Sequence, residues 1–209
     1  MSAEMDDQRQ RLLSAVATAL AERGYSELSV ADIIGAAGVS RTTFYEQFDH
    51  KRECVLVAHE QAFKRLADEL VRSCTAVPEW PAKVVVAVST AISFAVRTPA
   101  EARLLLPEVL AADSVLVARG LASNDFLVGL MRPGRQQCPR AAALPELTER
   151  ALISGATSVI GRRLLYDQVD LLPALAPELT ELILIPYLGN EEAARVAGIA
   201  GPPSVSTAD

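Results

Sequence analysis

A chain of 209 residues with 20 Lys+Arg against 26 Asp+Glu has room for one large domain or two small ones. Half of it is apolar and 22% charged, which excludes intrinsic disorder and supplies a core. The formal charge of −6 argues, at the scale of the whole chain, against a nucleic-acid partner, so any such function has to rest on local motifs.

The first 30 residues place Glu4, Asp6 and Asp7 where a signal peptide needs positive charge, and no apolar segment follows. The longest uncharged apolar stretch, Val84 to Val96, falls short of the roughly 20 residues of a membrane span. The expectation is a cytoplasmic protein with no membrane partner. Cys54, Cys74 and Cys138 are odd in number and widely spaced, without a CxxC pair, which predicts free thiols, no zinc site and no other metal.

Apolar residues recur at helical spacing nearly throughout. Leu12, Leu13, Val16, Ala17 and Leu20 predict a first helix over about 7–23, with Gly24 as its cap. Ser29 and Asp32 fit a capping box for a second helix over 30–37, stopped by Gly38. Ser40 caps a third to about Glu46, and Asp49 is expected to cap a fourth from His50 to about Cys74. Beyond the break at Pro78 and Pro81, helices are expected at about 82–97, 100–112, 115–131, 145–167 and 174–188. Pro107 should kink its helix, and the end of the chain from Pro202 should fray. The fold class is all-α, about nine helices, with the domain boundary inside the long fourth helix. Residues 1–60 form one domain and 61–209 the other.

Val30 to Phe48 reads as helix, glycine turn, helix: a helix-turn-helix whose second helix can enter the major groove. Phe44 and Phe48 face the core, leaving a polar arc of Arg41, Thr42, Tyr45 and Glu46. Arg41 can contact guanine O6 and N7, and Thr42 a thymine methyl or a phosphate. Tyr45, Thr43, His50 and Lys51 suit phosphate oxygens. Glu46 can accept from cytosine N4 or simply repel phosphate.

Ala31-Asp32-Ile33 through Gly38-Val39-Ser40-Arg41-Thr42-Thr43-Phe44-Tyr45, followed by Phe48 and Lys51, resembles the tetracycline-repressor (TetR) family of bacterial regulators. The resemblance implies an N-terminal DNA-binding domain, a homodimer, and a C-terminal pocket whose small-molecule effector releases operator DNA. Two departures stand out: residues 1–60 hold six basic against ten acidic side chains, and Glu46 occupies a recognition-helix position where the family often has histidine.

For the pocket, the wall residues expected are Trp80, Phe94, Leu105, Phe126, Leu130 and Met131. For the dimer, Leu152, Ala156, Val159, Ile160 and Leu164 form one apolar stripe, and Leu179, Leu182, Ile183 and Pro186 another. Two such helices from each subunit would make a four-helix bundle. The function expected is a ligand-responsive transcriptional regulator, most simply a repressor of a near-palindromic operator. The alternative is a helical dimer that binds a small molecule or protein without DNA. An enzyme is not expected: His50 and His59 are the only histidines, and no GxSxG, GxxxxGK, HExxH or GxGxxG occurs, so no catalytic residues and no cofactor are assigned.

Overall fold

The apolar stripe from Leu12 to Leu20 packs inward as α1 (Ser2–Glu27) in a computed structural model that describes residues 2–106, 111 and 113–198. The helix begins five residues before the expected start and continues past Gly24. That glycine adopts φ 73°, open to a residue without Cβ, and bends the helix instead of ending it. Three helices follow: α2 (Val30–Ala37), α3 (Arg41–Gln47) and α4 (Lys51–Thr75). The cap of α4 is His50, not Asp49: its Nδ1 accepts the Glu53 N–H at 3.2 Å, while the Glu53 carboxylate takes the Asp49 N–H at 2.7 Å. Imidazole thus fills a place usually held by a short oxygen side chain.

The second half comprises α5 (Trp80–Arg97), α6 (Pro99–Leu104), α7 (Ser114–Met131), α8 (Pro133–Gln137), α9 (Thr148–Leu165), α10 (Leu175–Leu188) and α11 (Asn190–Val196), with 3₁₀ turns at Pro139–Ala143 and Val169–Leu171. The helix expected over 100–112 stops at Leu104, since the residue before a proline is driven out of helical geometry and Leu106 precedes Pro107. The predicted Pro107 kink and the tail from Pro202 lie outside the described residues. Two short helices were not anticipated: α8 starts on Pro133, which suits a first helical position, and α11 restarts after Gly189.

Two apolar cores result, and α4 passes through both. The first gathers Leu12, Leu20, Ile33, Phe44, Phe48 and Val55 down to Ala62; the second begins at Leu66 and gathers Trp80, Ile92, Leu164, Leu184 and Tyr187. Leu104 of α6 and Leu116 of α7 reach back into the first core. α6 is also tied at both ends: Glu101 pairs with Arg65 of α4, and Arg103 donates to the Leu164 carbonyl at the end of α9 at 2.6 Å. A short helix is thus rigidly shared by the two halves.

Among the described residues, the second core contains one buried charge. Glu149, 4% exposed, accepts from Arg135 Nε and Nη2 at 2.7 and 2.8 Å and from the Tyr187 hydroxyl at 2.9 Å. Burial pushes its carboxyl up, but these hydrogen bonds outweigh burial and hold it below the ordinary range. Tyr187 stacks at 4.5 Å on Trp80, which in turn lies over Gly134.

Trp80–Arg97 and Ser114–Gln137 are long and apolar enough to cross a membrane by length and composition, whereas the uncharged stretch Val84 to Val96 had predicted no span. In this fold their apolar residues line a cavity between helices.

Candidate nucleic-acid interface and ligand cavity

The helix-turn-helix is held by a few polar side chains over an apolar base. Ser29 and Asp32 complete the capping box of α2, Oγ accepting the Asp32 N–H at 3.2 Å and the Ser29 N–H reaching the Asp32 carboxylate at 2.9 Å. Gly38 ends α2 at φ 63°, the left-handed geometry that turns the chain toward α3. Arg11 of α1 then clamps the turn, donating to the Ala37 and Gly38 carbonyls at 3.1 and 2.8 Å. Arg9 donates to the Gln47 carbonyl at 3.1 Å and lies 4.5 Å over the Phe48 ring. Phe44 and Phe48 are buried beneath, so α3 has one possible outward face.

That face carries Arg41, Thr42, Tyr45 and Glu46, all exposed. The Arg41 guanidinium sits 5.9 Å from the Tyr45 ring, and it has no ion pair among the described residues. Thr43 is turned aside: its hydroxyl bonds to Ser40 Oγ at 2.9 Å, and its N–H is capped by the same oxygen. His50 is exposed, with Nδ1 committed to the α4 cap and Nε2 left as the outward nitrogen.

Lys51 does not present its ammonium as expected. It donates to the Tyr25 and Leu28 carbonyls at 3.0 and 2.7 Å and lies 4.6 Å from the Tyr25 ring, stapling the α1–α2 connection to α4. Arg52 leans toward Asp113 at 3.7 Å. Arg41 is thus the cation of this segment with no ion-pair or hydrogen-bond partner among the described residues.

Between α4, α5, α7, α9 and α10 lies a cavity of about 390 Å³, a size typical of small-molecule sites. Its walls include Leu70 and Cys74 of α4, Val84, Val88 and Ala91 of α5, Leu127 and Met131 of α7, and Ile153 and Ile160 of α9. Lys83 is the single charged side chain among the lining residues. Of the wall residues expected from sequence, Trp80, Leu130 and Met131 line it. Phe94 is packed in the core, Leu105 lies where the two cores meet, and Phe126 stands edge-on to Phe63 at 5.5 Å; these three do not reach the cavity.

The stripes expected to pair two subunits divide between faces. Ala156, Leu164, Leu179 and Ile183 are buried within the protomer, and Ala156, Ile160, Leu179 and Ile183 line the cavity. Val159 and Leu182 stand outward at 40% and 50% exposure, with Leu152 and Pro186 partly exposed. Gly155 lies on the same outward face of α9, and a Cβ there would meet nothing. Both helices are apolar on two sides, which sequence spacing cannot resolve into inside and outside.

Several residues escaped the sequence reading. Asp113 caps α7 through the Val115 and Leu116 N–H groups at 2.9 and 3.3 Å and also accepts the Tyr25 hydroxyl at 3.3 Å. An aspartate just ahead of an apolar run signals the cap; nothing local signals Tyr25. The cavity stripe of α5, Val84, Val88 and Ala91, was legible as helical spacing but not as a wall.

Residues 12–58 match the sequence profile described as bacterial regulatory proteins, tetR family. No curated protein sequence matches the chain. Among solved structures, the fatty acid degradation regulator FadR from Bacillus halodurans superposes with a TM-score of 0.73 at 19% identity, covering 85% of this chain and 94% of its own. A TetR-like transcriptional regulator from Rhodococcus sp. RHA1 gives 0.72 at 20% identity, with 85% and 94% covered. The transcriptional regulator FadR from Bacillus subtilis, solved in complex with stearoyl-CoA, gives 0.69 at 18% identity, with 86% and 98% covered.

Proposed function

We propose that this chain, whose residues 12–58 match the tetR-family profile and whose fold is shared with regulators of that family, is a ligand-responsive, dimeric DNA-binding repressor acting in the cytoplasm. The observation that carries the reading is the outward arc of α3. Arg41, Thr42, Tyr45 and Glu46 project from a helix whose opposite side is locked by Phe44, Phe48, Arg9 and Arg11. Arg41 reads a guanine, Thr42 meets a thymine methyl or phosphate, and Tyr45 with His50 positions the backbone. The outward faces of α9 and α10, around Val159 and Leu182, pair with those of a second copy. That pairing sets two α3 helices about one DNA turn, ~34 Å, apart.

The effector occupies the 390 Å³ cavity. Its walls suit an elongated apolar body, and Lys83 suits an acidic end. The Bacillus subtilis neighbour solved with stearoyl-CoA favours the same class. Binding acts through α6, which carries Arg103 to the end of α9 and Leu104 into the DNA-binding core, so displacement of α9 shifts α6 and then the spacing of the two α3 helices.

Fluorescence anisotropy against the intergenic DNA beside its own gene tests the reading. Salt-dependent, sequence-selective binding supports it; its absence favours a dimer that binds a small molecule without DNA, a reading to which the inward Lys51 and the tethered Arg52 lend weight. Trp80, the sole tryptophan, lines the cavity, so its emission reports effector binding directly. A long-chain fatty acid or its coenzyme A thioester should change that emission saturably.

A further inference from the structure

Glu46 stands exposed on the outward arc of α3, one helical turn beyond Thr42 and so on the same flank, while Tyr45 stands one turn beyond Arg41 on the other. Among the described residues its carboxylate has no hydrogen bond and no ion pair. The cations around the recognition unit are engaged elsewhere. Arg9 holds Gln47, Arg11 the Ala37 and Gly38 carbonyls, and Arg23 approaches Asp32 at 3.5 Å. Lys51 is spent on the Tyr25 and Leu28 carbonyls and Arg52 on Asp113. The helix therefore presents a bare anion beside its Arg41.

On the premise that α3 enters the major groove, we propose that Glu46 is a specificity residue, accepting a hydrogen bond from the N4 amino group of a cytosine in each half-site.

The edges of the base pairs select that partner. In the major groove the donors are the amino groups of cytosine and adenine, whereas guanine and thymine present acceptors that a carboxylate meets at a cost. Residues 1–60 hold six basic against ten acidic side chains, so no surplus of positive charge offsets a carboxylate left unmatched near phosphates. Binding thus favours a sequence that supplies an amino group at this place, where the hydrogen bond is charge-assisted. Adenine sets its N7 acceptor beside N6, facing the second carboxylate oxygen; cytosine has a C–H beside N4. Cytosine is the better match. Glu46 lies five residues after Arg41, about 7.5 Å along the helix axis, which places its base within about two base-pair steps of ~3.4 Å from the guanine under Arg41.

The full-length protein is used to select duplexes from a randomised library, and the enriched sites are compared by fluorescence anisotropy. The wild type should enrich a cytosine at one fixed position of each half-site, and thymine or guanine there should weaken binding at least about tenfold, roughly 1.4 kcal/mol. Glu46→Gln should exchange that cytosine for adenine, because an amide donates to N7 while it accepts from N6. Glu46→Ala should make the position indifferent to within about twofold. A cytosine preference that survives Glu46→Ala overturns the proposal. So does a uniform gain in affinity for every duplex in both variants, which would mean that the carboxylate only repels phosphate. A wild type that enriches a site with no such cytosine overturns this proposal alone, whereas one that enriches no sequence overturns the DNA-binding premise and the proposal together.

Discussion

Tyr25 donates its hydroxyl to the Asp113 carboxylate at 3.3 Å, joining the end of α1 to the first turn of α7 across 88 residues of sequence. The same carboxylate caps α7 and approaches Arg52. Burial pulls its pKa up, but the Leu116 and Val115 N–H groups, Tyr25 and Arg52 hold it below the usual range. A depressed carboxyl contributes stability above its unfolded pKa, near 3.8, and loses it as pH falls through the folded value. Asp113→Ala should remove a cap worth about 1 kcal/mol. It should also reduce the effect of effector on DNA affinity, because two of the ties between halves go with it. Asp113→Asn, which can still cap, should retain most of the stability; chemical denaturation beside anisotropy with and without effector separates the two effects.

Arg41 and Lys51 should part company. Arg41→Ala should cost about 1–3 kcal/mol of specific binding and relax one base position, leaving the melting temperature unchanged. Lys51→Ala removes two charge-assisted bonds to carbonyls and should lower stability by about 1–3 kcal/mol. Its salt slope in DNA titrations should change little. A fall in slope by one without loss of stability would show that Lys51 swings out to phosphate.

Gly134 has no room for a side chain, since a Cβ would sit 2.6 Å from the Trp80 ring. Gly134→Ala should destabilise by about 1–3 kcal/mol and alter Trp80 emission even without ligand. Thermal melts and steady-state fluorescence check both.

His59 makes acid costly to the fold. Its folded pKa is pushed down to about 4 by burial and Arg119, so between about pH 6.5 and 4 the unfolded chain binds a proton that the folded chain refuses. Stability should therefore fall by up to about 3 kcal/mol as pH drops through that window. His59→Phe should flatten that part of the profile in urea titrations at stepped pH; an unchanged slope would assign the acid sensitivity to other groups.

Val159 and Leu182 test the dimer face. Val159→Asp places a charge on an outward side chain, so it should leave the helical circular-dichroism signal intact while shifting sedimentation to the monomer. Ala156→Asp, facing inward, should instead unfold or precipitate the protein. If Val159→Asp remains dimeric, the subunits pair elsewhere.

The recognition unit was legible because its determinants are local. Ser29, Asp32, Gly38 and Ser40 act within four residues of themselves, and a 3.6-residue period puts Phe44 and Tyr45 on different sides whatever else the chain does. The helix expected over 100–112 ended instead at Leu104, and the kink expected at Pro107 falls outside the described residues. Charge fared worse: Lys51 was expected to stand outward toward phosphate, as His50 was. Lys51 finds its partners at Tyr25 and Leu28, and Arg52 at Asp113, all remote in sequence.

The sequence by itself determined an all-helical chain, the helix-turn-helix and the polar arc on α3, since caps, turns and amphipathic period are set by neighbours along the backbone. The tertiary structure decided which cation faces outward and which stripe of α9 and α10 looks into the cavity. It also decided that His59 is buried with neither ring nitrogen matched. Those outcomes depend on what each apolar or charged side chain meets across tens of residues, and a helix that is apolar on two sides carries no local mark of which one is inside.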